Sequence, residues 1–167
     1  AYAPTTPHAI DSTNTEHKYC KHFWQQLRPL IKKLPRRTFL IFGLDANAHV
    51  GQIPPTDNAV PPPQPHDPLC IGPASPEPEK INGSFFRQLL KDAGLYAVNT
   101  YKNRESIIST DATTKGITWI PVNPKHSPHR LDYFVTDHGR ADSIKKWWID
   151  DVLGRLWQSS PTAYDHL

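Results

Sequence analysis

Phe39-Leu40-Ile41-Phe42-Gly43-Leu44-Asp45-Ala46-Asn47-Ala48-His49-Val50-Gly51 is the stretch around which the rest of the chain is arranged. It opens as a continuous apolar run between Arg36-Arg37 and a polar Asp-x-Asn. That composition predicts a strand buried on both faces. Gly43 permits a bulge or a close backbone approach. Side chains alternate along a strand, so Asp45 and Asn47 point to one side of the sheet's end if the extended geometry continues. A carboxylate and a carboxamide leaving a buried strand together suit a metal, a water or a phosphate. The same residue types are favoured at any strand-to-turn exit, so the pair alone does not choose between these readings.

Upstream, Ala1-Tyr2-Ala3-Pro4 reads as a strand tail stopped by proline. From about Glu16 to Leu34, Tyr19, Phe23, Trp24, Leu27, Leu30, Ile31 and Leu34 recur at helical spacing. Asp11 to Thr13 offer N-caps, and Pro29 is expected to kink or divide the helix. Downstream, prolines crowd residues 52–79. They exclude regular structure there and predict an irregular surface insert within a single domain spanning 1–167. Asn82-Gly83 opens a helix that buries Phe85, Phe86, Leu89, Leu90 and Ala93, with Gly94 as its stop. Strands are expected over Leu95–Tyr101, Gly116–Ile120 and Arg130–Thr136, the last with Asp132 near its start. Ile144 to Trp157 fits a helix or a strand equally well. Strands alternating with helices give an α/β fold class.

The 167 residues are enough for one domain with a core, and 37% hydrophobic against 21% charged content argues against a disordered chain. The net charge of +3 gathers partly into Lys32-Lys33, Arg36-Arg37 and Lys145-Lys146, which permits an anionic partner without requiring one. Cys20 and Cys70 are the only cysteines and make no disulfide framework, which fits a reducing compartment rather than secretion. No segment approaches the ~18 consecutive apolar residues of a membrane span, so no membrane partner is expected. The chain opens strand-like at Ala1 and stops at Asp165-His166-Leu167, and both ends read as cut.

Polar groups of catalytic type stand at several strand ends: Tyr2, Asp45, Asn47, Asp132, Asp165 and His166. In α/β chains such residues converge on one sheet edge. Their order carries a resemblance. Tyr-Ala-Pro, Leu-Ile-Phe-Gly-Leu-Asp-Ala-Asn-Ala-His-Val-Gly, Asn-Gly-Ser-Phe-Phe, Leu-Tyr-Ala-Val-Asn-Thr-Tyr, Thr-Trp, Arg-Leu-Asp-Tyr-Phe-Val and a closing Asp-His resemble the endonuclease/exonuclease/phosphatase superfamily. They are most similar to the apurinic-like endonuclease domains of non-LTR retrotransposons. The likeness covers residues 1 to about 136, apart from the proline-rich insert, and resumes at 165–166.

The resemblance implies part of a four-layer α/β sandwich, two packed mixed sheets flanked by helices. It also implies hydrolysis of DNA phosphodiesters with Mg²⁺, or Mn²⁺ in its place. By the same likeness Tyr2 contacts the scissile phosphate and Asp45 handles the proton of the attacking water or leaving group. Asn47 holds a phosphate oxygen, Asp132 orients the catalytic His166, and Asp165 lies near the metal. These roles suit the residue types: an Asp beside a His raises its pKa, and an amide binds phosphate oxygen without adding charge. The departures are Leu44 between Gly43 and Asp45, Tyr164 where the family has Ser, and no counterpart to the family's metal-binding Glu. Glu77 or Glu79 could substitute as the metal ligand, but both sit in the irregular insert, a poor position for one. The implied partners are DNA and either the missing N-terminal half or a reverse transcriptase domain, in the nucleus or cytoplasm. The rival readings are a phosphatase of small phosphoesters and a degenerate, non-catalytic nucleic-acid-binding module.

Overall fold

In the computed structural model, which describes residues 3–4, 15–35, 37–52, 70–73, 76–101, 117–119, 125–139 and 144, the apolar run becomes strand β1, Ile41–Asp45. It pairs antiparallel with β5, Asp132–Asp137, which pairs antiparallel in turn with β4, Leu95–Ala97. The sheet order is β1-β5-β4. Ile71 bridges Ala97 in parallel at the far side. The described elements are therefore of mixed α/β class.

Two helices cover one face of this sheet. Helix α1 runs Thr15–Lys32 and α2 runs Ile81–Ala93, and the two pack together. The ring of Trp24 on α1 lies 5.1 Å from that of Phe86 on α2, tilted by 35°, and Phe86 lies 4.9 Å from Tyr133 of β5. Leu44, Leu89, Leu90, Leu95, Ala97 and Val135 belong to the same core, as do Val50 and Ile71. Gly94 ends α2 at φ 63°, ψ 40°, a left-handed turn that glycine adopts without Cβ strain.

The uncovered face corrects the expectation of a strand buried on both sides. Leu44 is buried toward the helices, but Ile41 is 61% exposed, and Phe134, opposite Gly43 on β5, is 54% exposed. Alternate residues of β1 face opposite sides, and among the described residues only one side has helices packed on it.

Other expectations also shift. Pro29 does not divide α1. It sits on the solvent side near the helix end, where the Gln25 carbonyl deprived of its donor belongs to an exposed residue. Helix α2 starts at Ile81, one residue before Asn82-Gly83. The strand expected to continue to Tyr101 stops at Ala97 and turns into a 3-10 segment, Val98–Thr100. The Thr100 hydroxyl donates to the Ala97 carbonyl and closes that turn. The Asn99 carboxamide then replaces the lost ladder bonds, donating to Asp132 O and accepting from the Phe134 amide. The strand expected over 116–120 is reduced, among its described residues, to a bridge between Trp119 and His129. The last strand begins at Asp132 rather than Arg130.

The insert over 52–79 is not irregular throughout. Its ends form a parallel pair, β2 Gly51–Gln52 with β3 Glu77–Pro78, and Cys70 and Ile71 are buried. The candidate caps Asp11 to Thr13 and most of the ambiguous segment 144–157 lie outside the described residues. Cys20 and Cys70 are both buried and form no disulfide. Among the described residues, no helix is long and apolar enough to cross a membrane.

Candidate functional site

Antiparallel register puts Asp45, the last residue of β1, directly opposite Asp132, the first of β5. Residues directly opposite on such a pair point to the same face, so two carboxylates share one corner of the sheet. The corner is held from several sides. The Thr118 hydroxyl accepts from the Leu131 and Asp132 amides, at 2.9 Å each. Ala46 N donates to Leu131 O at 2.8 Å.

Asn47 does not follow from simple strand geometry. Extended structure ends at Asp45, and Asn47 takes a left-handed φ of 45°. Asparagine tolerates that region better than most residues. Asp45 Oδ1 accepts the Asn47 amide at 3.0 Å, which makes the pair an Asx turn as well as a candidate site. The Asn47 side chain donates to Ala3 O at 2.7 Å, and Ala3 N donates to Asp45 O at 2.8 Å. One Asn47 N–H is thereby committed to structure and the carboxamide retains a second. Of the sequence-derived set, Asp45, Asn47 and Asp132 come to one edge; Tyr2, Asp165 and His166 lie outside the described residues.

The carbonyls of this exit are held by Asn82, which is 1% exposed. Its Nδ2 donates to Ala46 O at 3.0 Å, Asn47 O at 2.9 Å and, more weakly, Pro4 O at 3.4 Å. Its Oδ1 accepts from the Trp24 indole at 2.7 Å. One carboxamide therefore fixes both helices to the segment that carries Asp45 and Asn47.

A second cluster was not expected. His49, Glu77 and His129 gather their side-chain donor atoms within 4.8 Å of one another. Glu77 Oε2 meets His49 Nδ1 at 2.5 Å and His129 Nδ1 at 3.0 Å, and its Oε1 accepts the Arg130 amide at 2.8 Å. Burial pushes the Glu77 carboxyl up, but the hydrogen bonds from His49 and the Arg130 amide, with the charges of both imidazoles, hold it below its ordinary value. Burial pushes His129 down, and the Glu77 carboxylate only partly reverses this against the neighbouring His49. Glu77 is thereby held as a carboxylate, and His129 sheds its proton more readily than a free imidazole.

Glu77 lies among prolines, where regular backbone is not expected. It is ordered because its own amide donates to Val50 O and β3 lies along β2. No local sequence signal pairs Glu77 with His49, 28 residues away, or with His129, 52 residues away. Glu79 takes another role, gripping Arg87 through both carboxylate oxygens.

No protein-family model, curated protein or solved structure matches this chain.

Proposed function

We propose that the chain is a metal-dependent phosphodiesterase acting on DNA, built on the four-layer α/β sandwich of the endonuclease/exonuclease/phosphatase superfamily. The observation that carries this reading is the shared sheet corner of Asp45 and Asp132, with Asn47 two residues beyond. A sheet covered by helices on one side, with Phe39, Ile41 and Phe134 exposed, is compatible with one half of a two-sheet sandwich.

The donor chemistry at the corner fits a hard cation. Two carboxylates and a carboxamide offer oxygen ligands, which Mg²⁺ prefers. When bound, Mg²⁺ supplies charge neutralisation on the phosphate's non-bridging oxygens. The chain's own residues then divide the remaining work. Asp45 accepts a proton from the attacking water, because a half-buried carboxylate held at a strand end is a competent base. Asn47 directs its second N–H at a phosphate oxygen without adding repulsion. The orienting of His166 by Asp132, and the phosphate-contact and metal-side roles of Tyr2 and Asp165, are the roles that the sequence resemblance implies.

Plasmid nicking in Mg²⁺ tests the reading, with Asp45→Asn and Asp132→Asn beside the wild type. Nicking lost by more than about 100-fold in both variants supports it. Release of inorganic phosphate from small phosphoesters without nicking transfers the site to the phosphatase reading. Salt-dependent DNA binding that neither substitution changes, with no cleavage, reduces the chain to a binding module.

A further inference from the structure

We propose that His49, Glu77 and His129 form a binding site for a borderline divalent transition metal of the Zn²⁺ type, separate from the oxygen-donor corner at Asp45 and Asp132. Two imidazole nitrogens and one carboxylate oxygen converge within 4.8 Å. Two histidines and one carboxylate are a donor set that suits zinc with an open fourth position. Nitrogen donors are poorly matched to Mg²⁺, so this site does not compete for the corner's cation.

The geometry is that of a site closed on itself by hydrogen bonds. Both Nδ1 atoms address the same oxygen, Glu77 Oε2. An ion held near 2.0–2.2 Å from each donor sets donor pairs about 3.3–3.5 Å apart in tetrahedral geometry. The observed separations of 2.5 and 3.0 Å widen to that with side-chain shifts of under about 1 Å. Ligation through Nδ1 requires each imidazole to carry its remaining hydrogen on Nε2.

Every ligand is anchored through its backbone. Glu77 sits on β3, with its Oε1 tied to the Arg130 amide, so Oε2 is the atom left facing the histidines. His129 exchanges both backbone hydrogen bonds with Trp119, and the two rings stack at 5.9 Å and 10°. His49 lies against α2 at Gly83, where a Cβ would collide with the His49 carbonyl oxygen. Tyr133 is buried at 2% exposure, and its hydroxyl lies 2.8 Å from Ala48 O and 3.1 Å from Arg130 O, beside two of the ligands. Such supports fix ligand direction before the ion arrives. The three ligand side chains retain 13%, 20% and 30% exposure, which gives an ion an entry path and a solvent-facing position.

The test is metal binding by the intact chain after chelator stripping, which reads out independently of any nuclease activity. Calorimetric titration with Zn²⁺ is expected to give one ion per chain, and Co²⁺ to give the visible absorption of a nitrogen-ligated, low-symmetry site. His49→Ala, Glu77→Gln and His129→Ala each weaken binding by more than about 100-fold. His22→Ala, on the exposed side of α1, leaves it unchanged. Nuclear magnetic resonance of the imidazoles keeps the test independent of how the variants fold. Of nine histidines in the wild type, the rings of His49 and His129 are expected to shift on adding Zn²⁺. No stoichiometric binding, or Zn²⁺ shifts confined to other histidines, overturns the proposal.

Discussion

Replacing Asn82 should unfasten the sheet corner from both helices. The side chain is 1% exposed, and Trp24, whose indole it accepts from at 2.7 Å, is 3% exposed. Asn82→Leu keeps similar bulk but strands the Trp24 N–H and the Ala46 carbonyl. The Asn47 carbonyl, on a half-buried residue, can turn to water. At about 1–3 kcal/mol for each stranded buried group, the expected loss is about 2–5 kcal/mol. That is a large share of the ~5–15 kcal/mol that holds a typical domain together. Asn82→Asp should be no milder, because it sets a carboxylate oxygen against the Ala46 and Asn47 carbonyls. Equilibrium urea denaturation, followed by tryptophan fluorescence and circular dichroism together, measures the loss. Trp24→Phe supplies the second edge of a double-mutant cycle, since it removes the donor that Asn82→Leu strands. The coupling should be about 1 kcal/mol or more. A cost below about 1 kcal/mol for Asn82→Leu, or no coupling to Trp24, would refute the claim that this carboxamide is the joint.

Gly83→Ala pits two effects against each other: alanine is favoured by about 1 kcal/mol in a helix, but here its methyl meets the His49 carbonyl oxygen. Net destabilisation of about 1–3 kcal/mol is expected, and a stabilised variant in thermal denaturation would show that the helix can back away. Phe86→Ala, at the centre of the aromatic contact with Trp24 and Tyr133, should cost about 3–5 kcal/mol. Phe134→Ser on the bare sheet face should cost under about 1 kcal/mol, and equal losses in urea for the two would mean that this face is covered in solution. Stability without added metal should fall in two stages on acidification. His129 lies below its ordinary 6.5, so the unfolded chain takes up that proton first and stability declines as pH drops through 6.5 toward the folded value. Glu77 lies below 4.5, so the unfolded chain again binds the proton first and a further decline begins below 4.5, which Glu77→Gln should remove from urea midpoints measured against pH.

The parts of the fold legible in the sequence are those whose signal is local. Helix α1 came from apolar spacing, and the end of α2 from a glycine with nowhere else to go. What failed depended on tertiary partners. The run at Phe39–Leu44 has the composition of a doubly buried strand, yet the exposure of Ile41 is set by what packs on the second face. Leu95–Tyr101 has strand propensity to its end. It turns at Val98 because Thr100 and Asn99 make side-chain bonds to Ala97, Asp132 and Phe134 that compete with the ladder.

The candidate site divides along the same line. Asp45 and Asp132 were readable as strand-end acids, and their register follows once β1 and β5 pair antiparallel. Asn47 was readable as a residue type but not as a direction, because its left-handed backbone breaks the alternation on which the inference rested. Glu77 was misjudged for a physical reason: proline density signals irregular backbone, but two residues of parallel pairing with Gly51–Gln52 suffice to hold a carboxylate in place. The fixed carboxylate then changes what the neighbouring motif means. His49 follows Asn47 by two residues and His129 precedes Asp132 by three, so the strand ends that carry the oxygen donors also carry the nitrogen donors. If both sites take their ions, the β1 exit and the β5 entry are each tied twice. Zn²⁺ bound at the three-residue cluster should then tighten the Asp45–Asp132 corner without touching it. Slower amide hydrogen exchange at Ala46 and Asp132 on Zn²⁺ addition is the expected sign, because both amides donate within that corner and exchange only when it opens. Unchanged exchange at both, with Zn²⁺ demonstrably bound, would separate the two sites energetically.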